Sequence, residues 1–492
     1  MKALLIYPEF PDTFWSFKHA LQFIRKKSAF PPLGLLTLGA MLPKEWAIRL
    51  MDTNVTAVTQ RDLEWADISF VSAMSVQRKS AHQIIARCKE AGGMVVAGGP
   101  LFTSEYKEFD NVDHFVLNEA ELTLPPFLAD MERGSAERVY KTPEFSNIWE
   151  TPVPMWELAD MKRYASMNIQ FSRGCPFDCD FCNVTALFGH RSRIKSSGQV
   201  IAELDALYDL GWRGQVFFVD DNFIGNKRYL KSRLLPALIK WRKNKKGICF
   251  NTEASVNLAD DMQLMEMMVR AGFDTVFIGI ETPDEGSLAE CNKKQNKNRD
   301  LIETVKRIQR AGLQVQGGFI VGFDNDTQSI FQRQIDFIQK SGIVTAMVGL
   351  LQAPAGTRLY ERLKQEGRIL GHTSGDNVDG TTNIITRMDL DTLREGYRKI
   401  MLHIYSRKHY YRRVKTFLRE YKAPKIKIPL NRQSIFAFFR SNIRLGIIGS
   451  ERLQYWGLLW WTLFRRPGLL PLAVTLAIYG YHFRKVSNSH IL

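Results

Sequence analysis

Between residues 2 and 354 the sequence repeats one pattern: a short apolar run, a small or polar residue closing it, then a stretch with helical spacing. "KALLIYP", "AIRLMD", "DISFVSAM", "GMVVAGGP" and "HFVLNEAE" come first, separated by segments such as "SAHQIIARCKEAGG". "GQVFFVDDNF", "ICFNTEAS", "TVFIGIET", "VQGGFIVGFDND" and "TAMVGLLQAP" follow after a break. Strands that alternate with helices pair in parallel, because each crossover returns the chain to the same end of the sheet. The first group therefore predicts a doubly wound sheet and the second a parallel barrel or part of one, with ligands outside the carboxyl ends of the strands. No G-x-G-x-x-G follows the first strand, so a dinucleotide site is not indicated. "VAGGP" at residues 96–100 would let a flat ligand approach the backbone, with plain turn chemistry as the alternative.

The break divides the chain into expected units: a sheet domain over 1–145, a Pro-containing linker over 146–165, a barrel over 166–370 and a C-terminal region over 371–492. The barrel opens on "FSRGCPFDCDFCN", which sets Cys175, Cys179 and Cys182 within eight residues. The other three cysteines, Cys88, Cys249 and Cys291, are scattered and read as buried small residues. The start "MKALLIYPEF" has no cleavable signal and reads as a first buried strand, so a cytoplasmic, reducing setting is expected, where clustered thiols bind metal rather than form disulfides. Zinc is one candidate, with His190 completing a Cys3His set. Structural zinc sites usually pair their ligands as two separated knuckles, whereas C-x3-C-x2-C in one loop can hold three irons of a four-iron cluster and leave the fourth open to a ligand.

Charge is the second constraint. The chain carries a net +16, and residues 407–444 hold about a dozen Lys and Arg against a single Glu, which points to an anionic surface. The apolar segments that follow are short for a span, and Pro467–Phe483 contains two prolines and two glycines. Trp456, Trp460, Trp461, Tyr479 and Tyr481, flanked by Arg465, Arg466, Arg484 and Lys485, predict a helix lying in an anionic membrane interface. The alternative is an apolar element packed on the protein's own core; no recognisable nucleic-acid module is present, and no nucleic-acid partner is expected. Tyr405, Tyr410 and Tyr411 read as a packed aromatic cluster, with a lipid entrance or hydrogen donation as the other possibility.

The cysteine spacing, with aromatic Phe181 before the last thiol, resembles the radical S-adenosylmethionine superfamily. That resemblance implies a partial (β/α)6 barrel, a 4Fe-4S cluster on Cys175, Cys179 and Cys182, and S-adenosylmethionine chelated to the open iron. A one-electron reductant such as flavodoxin or ferredoxin would drive its cleavage to a 5'-deoxyadenosyl radical. By motif position it nominates Asp220, Asp221 and Asn222 of "FFVDDNF", Glu253 and Ser255 of "NTEAS", Glu281 of "GIET", and Gly318 and Gly322 of "GGFIVGFDND" as cofactor contacts. Asp326 stands where the family often has Glu. Each carboxylate has a bland reading as a helix cap.

The first domain resembles the cobalamin-binding domain of the B12-dependent branch. "PPLGLLTLGAML" (31–42), "VSAMSVQ" (71–77), "AGGP" (97–100) and "LNEAE" (117–121) sit at its corrin-contacting loops, nominating Ser72, Gly98, Gly99 and Glu119. Asn118 replaces the usual Gly, and the absence of D-x-H-x-x-G argues against a histidine ligand to cobalt. A degenerate domain that keeps the fold without corrin is the alternative. The whole layout is similar to the subgroup of hopanoid C2 methylases, including a C-terminal domain expected to be mainly helical. It implies a lipid or other hydrophobic substrate, methylation at an unactivated carbon, and a location at the inner face of the membrane. Radical ring closure or coupling without methyl transfer, and a non-catalytic metal-binding scaffold, are the competing functions.

Overall fold

The structure, a computed structural model, describes residues 1–424 and 432–491. Six parallel strands form the first sheet: β1 (Lys2–Tyr7), β2 (Ala47–Asp52), β3 (Ile68–Ser72), β4 (Met94–Gly98), β5 (His114–Val116) and β6 (Val139–Tyr140), in the order β2-β1-β3-β4-β5-β6. Helices cover both faces, so Ala3 to Ile6 and Ile68 to Val71 are buried without alternation, as doubly covered parallel strands require. The two-residue β6 is too short to leave an apolar run in the sequence. Residues 146–165 are no loose tether: Trp156 and Tyr164 are buried, and the Tyr164 hydroxyl donates to Asp52 Oδ2 at 2.9 Å.

The second sheet begins with β7 (Ser166–Ile169), which sequence reading did not separate from the cysteine motif. A short antiparallel pair, β8 (Ser172–Arg173) and β9 (Arg193–Ile194), brackets the cysteine loop. Then follow β10 (Gln215–Phe218), β11 (Cys249–Glu253), β12 (Phe273–Glu281), β13 (Gln314–Val321) and β14 (Ala346–Leu350), giving the parallel order β14-β13-β12-β11-β10-β7 of a partial barrel. Here burial does alternate: Val216, Phe218, Phe250, Val276 and Val315 pack outward under helices, while Phe217, Asn251, Phe277 and Gln316 face the lumen.

Among the described residues the C-terminal region is mainly helical from Leu390 onward. The Leu390–Tyr405 and Arg407–Glu420 helices pack at the β14 edge, where the Tyr405 hydroxyl donates to Ala346 O at 2.7 Å. Tyr405, Tyr410 and Tyr411 are all buried there, a packed aromatic cluster. Two expectations are corrected. The basic stretch is not all surface: Arg413 is 0 % exposed and donates to Ile404 O at 2.8 Å and Val344 O at 3.1 Å; its middle part, with Lys425 and Lys427, lies outside the described residues. The last apolar segment is not interfacial but core. In the Leu470–Ile491 helix, Leu476, Ala477 and Phe483 are fully buried, and Phe483 stacks on Phe14 at 4.2 Å. Of the five aromatics expected at the membrane, Trp460 alone is exposed; Trp456, Trp461, Tyr479 and Tyr481 are half-buried. Small residues and Phe in the sequence could not reveal that the first 25 residues supply the matching surface.

Candidate functional site

The cysteine loop leaves β8 at Gly174, which has φ +89° and whose missing Cβ would sit 2.5 Å from Arg191 O, so only glycine fits the tight exit. Beyond it Cys175, Cys179 and Cys182 are free, half-buried thiols, each pushed up chiefly by burial, Cys182 to about 12. Among the described residues no three His, Cys, Asp or Glu converge as one bound ion requires. His190 is largely exposed, its Nδ1 3.7 Å from Asp178 Oδ1. His190 therefore does not complete a Cys3His set with these thiols in this structure. They fit a cluster, in which each thiolate takes a different iron and the three sulfurs stay apart.

Polar groups from later strands reach this loop. Asn222 Nδ2 donates towards Cys175 Sγ at 3.8 Å, while its Oδ1 accepts from the Ser255 N–H and hydroxyl at 3.2 Å, so one buried side chain ties the cysteine loop to the end of β11. Gln295 Nε2 lies 3.6 Å from Cys179 Sγ. Lys293 is paired with Glu281 at 2.6 Å; burial alone would lower its pKa, but Glu281 and the neighbouring Cys179 more than offset this and raise it. Glu281 itself has φ +63° at a register shift between β12 and β13, strain that turns its carboxylate towards Lys293. Sequence reading singles out neither Gln295 nor Lys293; their signal is the run "AECNKKQN" (289–296) that follows the strand ending at Glu281.

The remaining strand-end candidates separate into two groups. Asp221 and Glu253 line a large cavity, and burial pushes their carboxyls up to about 6 and about 8. Asp220 is fully buried instead, accepting from Phe171 N at 3.2 Å and from the Ser172 N–H and hydroxyl, which makes it a brace for the cysteine loop rather than a cofactor contact. Gly318 faces the Phe277 ring and Gly322 faces Leu393, so both are positions of close packing. Asp326 caps the same turn, accepting from Gly322 N at 2.8 Å and Phe323 N at 3.1 Å.

All four loops singled out in the first domain meet at the cavity. It measures about 1910 Å³, well above an ordinary small-ligand pocket. Gly99 has φ +87°, and a Cβ there would lie 2.5 Å from Ser72 Oγ; a Cβ on Gly98 would meet Val116 O at 2.6 Å. Both are positions where only glycine fits, and both line the cavity at the carboxyl end of β4. Asn118 has φ +63°, which explains why Gly is usual there and why Asn is a workable replacement. Glu119 lines the cavity but is 4 % exposed, paired with Arg193 at 2.7 Å, and accepts from Ser146 N at 2.6 Å. Arg173, next to the cysteine loop, pairs with Glu121 at 2.7 Å and holds its carboxyl down at about 2 against burial. The "LNEAE" acids are thus an ionic latch between the first domain and the barrel. Of the scattered cysteines, Cys88 and Cys291 are buried, but Cys249 lines the cavity at the start of β11.

A radical SAM superfamily model matches residues 169–338, and a model described as a domain of unknown function matches residues 357–491. An uncharacterized methyltransferase of Synechocystis sp. is 39% identical over 98% of this chain and 91% of its own length. The hopanoid C-2 methylase of Rhodopseudomonas palustris is 36% identical over 77% of this chain and 73% of its own. Among solved structures, the cobalamin-dependent S-adenosylmethionine radical enzyme OxsB, with aqua-cobalamin and S-adenosylmethionine bound, superposes with a TM-score of 0.62 at 17% identity, covering 99% of this chain and 84% of that one.

Proposed function

Since the chain belongs to the radical SAM superfamily and to the family of the hopanoid C-2 methylase, we propose that it is a cobalamin-dependent radical enzyme that methylates an unactivated carbon of a lipid. The observation that carries this reading is the single cavity bounded by both the glycine-lined edge of the first sheet and the lumen of the barrel. When bound, the 4Fe-4S cluster would supply the electron for cleaving S-adenosylmethionine, and cobalamin the means of carrying a methyl group.

The chain's own part is to hold, orient and enclose. Cys175, Cys179 and Cys182 would ligate the cluster, with Asn222 and Gln295 fixing two of the sulfurs by N–H donation. Asp221 and Glu253, which line the cavity, and Ser255, held by Asn222, would meet the polar parts of S-adenosylmethionine at the barrel's carboxyl end. Ser72, Gly98 and Gly99 would receive cobalamin. The Glu119–Arg193 and Glu121–Arg173 pairs clamp the two domains together and so keep water out between them. A one-electron reductant of the flavodoxin or ferredoxin kind and a site at an anionic membrane surface complete the proposal.

The test is intact-lipid mass spectrometry on source cells fed deuterium-labelled methionine, comparing wild type with Cys179→Ala. A lipid that appears only with wild type and retains the labelled methyl is the expected result. A lipid changed without label would mean ring closure or coupling. No lipid difference at all would overturn the lipid substrate.

A further inference from the structure

The cavity has a second end. It runs down the lumen past Phe217, Asn251 and Phe277 to the amino-terminal ends of the strands, at Cys249, Asp274 and Gln314. Below these it is walled by the C-terminal helices and by the helix Lys18–Ile24, through Leu21, Phe23, Ile435, Phe438, Phe439 and Leu472. We propose that the helix Arg432–Ser441 and the turn Asn442–Ile447 that continues it lie in an anionic phospholipid interface and form the lip through which a lipid enters the barrel from its amino-terminal end. This rests on the lipid reading above and names the surface and the route.

Three observations carry it. The first is an outward stripe at fourfold spacing, Ile435, Phe439, Ile443 and Ile447, with exposures of 47, 57, 53 and 63%. Phe436, Ile448, Leu453 and Phe464 are also exposed, Phe464 stacked on Trp460 at 6.0 Å. Water-facing surfaces of monomers rarely present so much contiguous apolar area without a partner.

The second is continuity. Ile435 and Phe439 belong both to the exposed stripe and to the cavity wall, so these two side chains carry apolar surface from outside to inside. The lip is fixed rather than loose: Arg440 donates to Phe23 O at 2.6 Å and Arg444 to Gln22 Oε1 at 2.8 Å.

The third is charge. Between residues 433 and 472 the sequence has five arginines and one acid, Glu451, which is buried and paired with Arg484 at 2.6 Å. Arg444, Arg452 and Arg465 are exposed. An apolar stripe with cations and no exposed acid fits an anionic bilayer surface. No helix among the described residues is long and apolar enough to cross a membrane, so the stripe lies in the interface plane.

The test is flotation of the cluster-reconstituted full chain with phosphatidylcholine vesicles, with and without phosphatidylglycerol, comparing wild type with the triple variant Phe436→Ser, Ile443→Ser, Ile447→Ser. Wild type should bind the anionic vesicles at least about tenfold more tightly than the variant, and more weakly at high salt. Cleavage of S-adenosylmethionine in solution should be the same for both, which shows that the variant is folded. A spin label on Ile443→Cys, in the otherwise wild-type chain, should be more accessible to oxygen than to a polar nickel chelate when vesicles are present. Equal vesicle binding by wild type and variant, no binding by either, or a label buried by a second copy in sedimenting dimers would each overturn the proposal. These readouts need no lipid turnover. Failure of vesicle binding with labelled methyl still entering a lipid would sink the lip and leave the methylase standing; the reverse would do the opposite.

Discussion

The two sheets have the same number of strands, all parallel, yet they treat their faces differently. In the first, order β2-β1-β3 reverses direction at β1, helices cover both sides, and the middles of the central strands β1, β3 and β4 are buried without alternation. In the second the order runs one way from β7 to β14, the sheet curls, and its inner face carries Asn168, Asn251, Thr275, Gln314 and Gln316. The open sheet can offer a ligand only the edge of its strand ends, where Gly98 and Gly99 line the cavity. The curled sheet can offer its whole interior. The same secondary structure thus yields a shelf in one domain and a channel in the other.

The largest effect that could break this division is loss of the cluster. Cys179→Ala, after anaerobic reconstitution, should lose the cluster's visible absorption and S-adenosylmethionine cleavage to background while still binding cobalamin in a spin-column assay; loss of both would make the two sheets one site. Gly99→Val should do the converse. With φ +87° and Ser72 Oγ 2.5 Å from the new Cβ, the strand end must shift, and cobalamin retained on purification should fall about tenfold or more with cleavage preserved. Unchanged cobalamin content would show that the shelf is not its seat.

A smaller effect tests how the two are joined. Arg193→Ala leaves Glu119 buried without its main partner and should cost about 2–3 kcal/mol in urea unfolding, read as earlier proteolytic cleavage between the domains. An unaltered unfolding midpoint would place the joint elsewhere. The smallest effect sharpens the electrostatics of the channel. Burial first, then the charges of Asp221 and Asp220, raise the Glu253 carboxyl from 4.5 to about 8. The folded chain then keeps a proton that the unfolded chain releases, so Glu253 costs stability progressively from about pH 4.5 to pH 8. Glu253→Gln should therefore melt about 2 °C or more above wild type at pH 8 and with it at pH 4; no gain, or a loss, at pH 8 would mean that the carboxyl is ionised in the fold.

Much of this was legible beforehand for a specific reason. The strands β1 to β5 and β10 to β14 end in residues that cannot continue an apolar run, so their carboxyl ends, and the site residues there, can be read from the sequence. Asp221, Asn222, Glu253, Ser255 and Gly99 all reach the places their position predicts at strand ends. Asp220 and Glu119 carry the same chemical signal but are consumed by Ser172 and Arg193, partners 48 and 74 residues away. Nothing local distinguishes a carboxylate awaiting a ligand from one already satisfied. The tail shows the same limit: "LLPLAVTLAIYGYHF" reads alike as membrane-seeking or core-forming, and Phe14 and Tyr405 decide.

By itself the sequence determined two parallel α/β units, a three-thiol loop between them, and a basic, aromatic C-terminal region, because strand ends, glycines and cysteine spacing are local facts. The tertiary structure alone decided that both units share one cavity, that two of the acids are spent on holding them together, and that the outward apolar face belongs to residues 435–464 rather than to the last helix. Those are matters of which surface meets which, and burial is settled only by contact between segments hundreds of residues apart.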